Sequence, residues 1–247
     1  MSFKKKMKAF WKTVWECCKR SFASTFMYFC AGTILLMLTM DEDTVGMDGK
    51  RWAWTIVCIV ASIAYNAFVT YVTGGDQYEM LVSGNMKRVS AASLDGGYKI
   101  SSHKAEKEYR PWKGFAIGAF LAIPAVLAAI VFGVNQELID GAATDQGTLS
   151  KGLAIAVIVF FCLAGWAILP FYYSNIAGAG ISYFYSLFLA LIPIIVTGVM
   201  YIAGAYGRRN KRIRAQELAD REMARREEKP KKINYGGLPG TKPRKRK

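Results

Sequence analysis

The sequence predicts an all-α integral membrane protein: a bundle of about five transmembrane helices, an N-terminal amphipathic interfacial helix and a basic C-terminal tail. Three observations carry this reading. Residues 152–207 contain no Lys, Arg, Asp, Glu or His. Three earlier apolar runs cover residues 21–40, 53–73 and 114–134, each about the 20 residues needed to cross roughly 30 Å of hydrocarbon as a helix. The net charge of +15 sits largely outside those runs, in the arm and the tail.

Residues 1–20 come first. Phe3, Met7, Phe10, Trp11, Val14, Trp15 and Cys18 recur at spacings of three and four, so one helical face is apolar. Lys4, Lys5, Lys8, Lys12 and Lys19 occupy much of the remainder. A basic helix with tryptophans on its apolar side suits the headgroup boundary, lying flat before the chain turns into the first span. Lys4, Lys5, Lys8 and Lys12, with Trp11 and Trp15, are the expected contacts to anionic membrane lipid. The run over 21–40 is too long for a cleaved signal and lacks a small-x-small site before Asp41, so it reads as a retained span.

The span over 53–73 leads into a loop, 74–113. Within it, Val89 to Ile100 alternates weakly around Asp95-Gly96-Gly97, the pattern of a hairpin. Pro111 and Trp112 mark the return to the membrane, where tryptophan favours the interface. After the span at 114–134, the charge-free stretch divides into helices at 152–172 and 181–206, joined around 173–180. Residues 208–247 form a tail: a charged helix to Lys229, then a stretch rich in Gly, Pro and Lys whose composition predicts disorder.

Lys and Arg number seven in residues 1–20, two in 41–52, seven in 74–113, one in 135–151 and sixteen after Gly207. The two short loops also carry Asp41, Glu42, Asp43, Asp48, Glu137, Asp140 and Asp145. By the positive-inside rule the N-terminus and the 74–113 loop are cytoplasmic, in the cell membrane. Five plain crossings then put the sixteen basic residues of the tail outside, against the same rule. A re-entrant element near 170–180, an external tail or a reversed N-terminus would each resolve the conflict. An undistorted fifth span is the geometry expected here.

The expected spans contain no ionisable residue. That argues against a proton-coupled carrier, which places titrating groups at mid-membrane, but not against a pore lined by carbonyls and hydroxyls. Ser62, Asn66 and Thr70 share one helical face, and Asn175 lies in the turn. These residues line a solute path or, as is commoner, hydrogen-bond a neighbouring helix. Gly114, Gly118 and Ala122 form a row of small residues that lets another helix approach closely, within the chain or in a homo-oligomer.

Sites for chemistry are scarce. Of the five cysteines, Cys30, Cys58 and Cys162 lie within the spans, and Cys17 and Cys18 just before the first. No zinc spacing accompanies the single His103, and Asp41-Glu42-Asp43 with Asp48 lacks the calcium-loop pattern. No catalytic or phosphate-binding motif is present, so neither an enzyme nor a cofactor is expected. The first expectation is a non-enzymatic accessory or scaffold subunit whose basic segments contact anionic lipid or an acidic protein partner. A small channel or carrier component, with a path near Asn66 and the 170–180 break, is the second. A membrane factor touching ribosome or nucleic acid through the tail is the third.

Overall fold

The computed structural model describes residues 3–39, 49–93, 105–144 and 147–228. Every regular element among them is helical: α1 (Phe3–Thr39), α2 (Gly49–Ser93), α3 (Trp112–Val134), α4 (Gln136–Ala143), α5 (Lys151–Ile176) and α6 (Ser186–Glu228), with 3-10 turns at Ala105–Lys107 and Tyr183–Tyr185. Two units are present, Met1–Arg208 and Arg209–Lys247. The first holds the bundle; the described part of the second is an exposed helical segment. The acidic run 41–43 with Asp48, the hairpin turn at 95–97, His103, Asp145 and the 230–247 tail lie outside the described residues.

Five helices are long and apolar enough to cross a membrane, the make-up of a membrane-embedded protein. Their surface agrees. Phe22, Met37, Phe68, Ile158 and Phe188 are all exposed, an apolar exterior that suits hydrocarbon rather than water. The core instead gathers Tyr28, Leu35, Phe132, Phe161, Trp166 and Tyr183 between α1, α3 and α5.

Contacts at the helix ends fix the direction of each element. At one end, here called proximal, Phe10 stacks on Trp112 at 6.5 Å and the Tyr109 backbone N–H donates to the Gln77 carbonyl at 3.1 Å. There Tyr201 Oη also donates to Gln77 Oε1 at 2.6 Å. At the opposite, distal end, Phe132 meets Tyr183 at 5.4 Å and Gln136 Nε2 donates to the Ile181 carbonyl at 3.0 Å. Arg51, near the start of α2, lies 4.4 Å from the ring centre of Tyr173 there. So α1 and α3 rise from the proximal end, while α2 and α6 descend to it.

That topology settles α5. The chain leaves α3 at the distal end and begins α6 at the same end, so the segment between them goes in and comes back. Within α5, Ala164 has non-helical backbone angles (φ −133°, ψ 15°), and Phe161 and Tyr172 touch, their ring centres 4.8 Å apart. A straight helix would hold residues eleven apart at about 16 Å. The helix therefore folds back at Ala164–Gly165 into two arms.

Three expectations from the sequence change here. The separate helix over 1–20 and the span over 21–40 are one continuous α1, because no Gly or Pro interrupts the chain before Gly32. The loop expected from residue 74 is helical through Ser93, and Gly74 and Gly75 are absorbed as contact points with α6. The undistorted helix over 152–172 is bent, and the bend lies at Ala164 rather than in 170–180. Pro170 sits within the returning arm, where its missing N–H leaves no helical partner for the Trp166 carbonyl. Burial drives the fold-back: Ala164, Ala167, Ile168 and Leu169 are completely enclosed, and re-entrant backbone survives at membrane depth only when protein covers it.

Candidate functional site

Polar side chains gather at three levels of the bundle. At the distal level the Asn175 side chain clasps the turn that follows α5. Its Nδ2 donates to the Ile181 carbonyl at 2.8 Å and to Asp140 Oδ2 at 3.3 Å, and its Oδ1 accepts from the Ile181 N–H at 2.7 Å. Tyr183 Oη donates to Asp140 Oδ1 at 2.6 Å. Gly178 and Gly180 adopt positive φ between these points, the conformation that lets the chain reverse within a few residues. Asp140, Asn175, Tyr183 and Arg51 together hold the hairpin closed.

Replacing Asn175 with leucine removes three hydrogen bonds, each typically contributing 0.5–1.5 kcal/mol. The expected loss is about 2 kcal/mol, read as a lower unfolding midpoint in detergent micelles. An unchanged midpoint would mean that the clasp does not hold the hairpin.

At mid-bundle lies the polar row. Ser62, Asn66 and Thr70 are all buried. Ser62 donates to its own helix, at the Cys58 carbonyl. Asn66 Nδ2 reaches across to Thr197 Oγ1 on α6 at 2.9 Å, and Thr70 donates back to the Asn66 carbonyl at 2.6 Å. An interhelical bond of this kind contributes about 0.6–1.7 kcal/mol. Asn175 stands apart at the distal end, bonded to Asp140 and Ile181.

At the proximal level Lys113 is only 1% exposed. Its ammonium donates to the Glu106 carbonyl at 2.6 Å and to the Glu108 carbonyl, drawing residues 105–110 down onto the bundle. Tyr109 stacks on Tyr201 at 5.2 Å. Burial, with a smaller contribution from Tyr206, pushes the Tyr109 hydroxyl up from its ordinary range, so it stays neutral. Arg208 closes this level with ion pairs to Asp76 and Glu79.

Gly114, Gly118 and Ala122 face inward. A Cβ at Gly114 would lie 2.7 Å from Tyr201 Cβ, and one at Gly118 2.7 Å from Ile194 Cα, so the row lies against α6 of the same chain. Lys4, Lys8, Lys12, Trp11 and Trp15 are exposed on α1. Cys17 is buried and Cys18 half-buried.

Asp140, Tyr183, Lys113 and Arg51 were missed as site residues in the sequence. Asp140 and Arg51 read there as loop charges, and only the return of α5 brings Tyr173, Asn175 and Tyr183 to them. Among the described residues no group of three His, Cys, Asp or Glu side chains could hold a metal ion. No family model, curated protein or solved structure matches this chain.

Proposed function

We propose that this protein is a non-enzymatic accessory or scaffold subunit, with its proximal end in the cytoplasm against anionic lipid headgroups or an acidic partner. One observation carries the reading: Phe10 of the arm, Gln77 and Tyr109 of the 74–113 segment and Arg208 of α6 all lie at the proximal end. Thirty of the thirty-three Lys and Arg lie in the arm, in that segment or after Gly207. Charge so distributed follows the positive-inside rule, with Lys50, Arg51 and Lys151 as the three exceptions. The mid-bundle row adds support, since Asn66 donates across to Thr197 on α6 while Ser62 and Thr70 donate to carbonyls of their own helix.

A comparison of nanodiscs tests the lipid contact. Each Lys near an anionic surface contributes about 1 kcal/mol at low salt. The full chain is expected to unfold at higher temperature in phosphatidylglycerol discs than in phosphatidylcholine discs. The difference shrinks in about 0.5 M salt, which screens beyond a few ångströms, and in the Lys4, Lys8 and Lys12→Gln triple variant. Equal midpoints in the two lipids at low salt would remove lipid as the partner.

A further inference from the structure

Two hollows adjoin at the distal end of the bundle. One is an open recess of about 950 Å³ around the turn from α3 to α4, with Gly133, Asn135, Gln136, Glu137, Asp140 and Thr144 in its lining. The other is an apolar groove of about 430 Å³ between α3 and α6, with Val126, Phe184, Phe188, Leu191 and Ile194 along it. They meet where the Phe184 ring lies against Gly133, at which a Cβ would stand 2.7 Å from the ring. A polar recess at the distal end of the spans thus adjoins an apolar groove that runs into the hydrocarbon.

Each lining selects what it can hold. From Phe184 to Ile194 the groove extends ~15 Å, about half of the roughly 30 Å hydrocarbon core, which is the reach of one acyl chain in one leaflet. In the recess, Glu137 and Asp140 are three apart on α4 and so share one face. Asp140 accepts from Tyr183 and Asn175, neutral donors that leave its charge standing. No Lys, Arg or His is among the described residues of the lining, so the recess favours a cation. It has no aromatic ring either, the partner a quaternary ammonium prefers; a primary ammonium instead offers three N–H donors to carboxylates. The side-chain amides of Asn135 and Gln136 each commit one N–H to a carbonyl, and the second is placed for a phosphate oxygen.

We propose that the two hollows form one site for a phospholipid whose headgroup carries a primary ammonium. The ammonium pairs with Glu137 and Asp140, the phosphate accepts from Asn135 and Gln136, and one acyl chain lies in the groove against Phe188 and Leu191. The site is at the end opposite Lys113 and Arg208, so it is separate from the headgroup contact proposed above.

Native mass spectrometry on the full, delipidated chain tests this with phosphatidylethanolamine, phosphatidylcholine and phosphatidylglycerol of identical acyl chains. Phosphatidylethanolamine is expected to bind about fivefold tighter than either of the others, the upper reach of a solvent-facing ion pair. Glu137→Gln, at an exposed position, should remove about threefold of that preference and leave phosphatidylcholine binding unchanged. Leu191→Trp, which fills the groove from an exposed position, should weaken all three alike. A phosphatidylethanolamine with a diazirine midway along one chain should label residues 184–194, and unlabelled phosphatidylethanolamine should compete where phosphatidylcholine does not. Equal affinity for these two lipids, or a preference that Glu137→Gln leaves intact, overturns the proposal. So does a dimer that Leu191→Trp separates and that shows no lipid preference, because the groove then belongs to a second copy of the chain.

Discussion

A reporter fused after Lys247 is expected to read the same side of the membrane as one fused before Met1. The expectation follows from the direction of helices. Phe132 meets Tyr183, and Gln136 reaches the Ile181 carbonyl, so α3 ends where α6 begins. Tyr201 and Arg208 then meet Gln77, Asp76 and Glu79 at the opposite end, beside the start of α3 and the Phe10–Trp112 stack. With α5 doubling back, the chain crosses through α1, α2, α3 and α6 alone, and an even number of crossings returns the tail to its starting side. The effect is all-or-none: phosphatase and green-fluorescent reporters should give reciprocal signals at both termini, with the fluorescent one active. Reporters on opposite sides would require α5 to cross, and the hairpin would be wrong.

The conflict over the tail was visible in the sequence, but its resolution was not. Charge counts show that sixteen basic residues follow the last apolar helix, and five plain crossings strand them outside. Residues 151–176 nonetheless have the length and apolarity of a span, and Gly165 and Pro170, residue types frequent in membrane helices, do not by themselves announce a bend at Ala164. The signal is tertiary. Gly32 on α1 lets the Phe161 and Cys162 carbonyls approach, and the returning arm fills the space between α1 and α3. Apolar length identifies membrane helices well because hydrocarbon demands internally satisfied backbone. It does not distinguish a helix that spans from one folded over against its neighbours.

The polar residues divide along the same line. Asn66 stands out in the sequence because it is an amide within an apolar run, and its Nδ2 donates to Thr197 on α6. Asp140 read as one more solvated loop charge, since the sequence separates it from Tyr183 by 43 positions and nothing local links the two. Lys113 reads in the sequence only as one of seven basic residues in the 74–113 loop, and its burial depends on carbonyls of a segment that the chain folds inward. Local periodicity could reveal faces and lengths here, but not which ends meet.

The largest loss of stability is expected at the glycines between α2 and α6. Lipid tails are as apolar as the side chains they replace, so helix association in a membrane depends on close packing rather than on a hydrophobic driving force. A Cβ at Gly74 would collide with the Tyr201 carbonyl, and one at Gly204 with the Tyr71 carbonyl. Both obstacles are backbone, which cannot rotate aside as a side-chain end can. The helices would have to separate, losing the Tyr201–Gln77 hydrogen bond and the Tyr109–Tyr201 stack with them. Overpacking usually costs about 1–3 kcal/mol and more where the neighbour is rigid, so Gly74→Leu and Gly204→Leu should each cost about 3 kcal/mol or more. The two obstacles lie along one seam, and the double variant should fall short of the sum, because helices parted by the first substitution already accommodate the second. Gly141→Ala, where a Cβ meets nothing within 4 Å, is the control and should leave the unfolding midpoint in detergent nearly unchanged. If Gly204→Leu unfolds at the same temperature as the control, α2 and α6 do not touch through their backbones, and the parallel pairing that brings Arg208 to the proximal end loses its support.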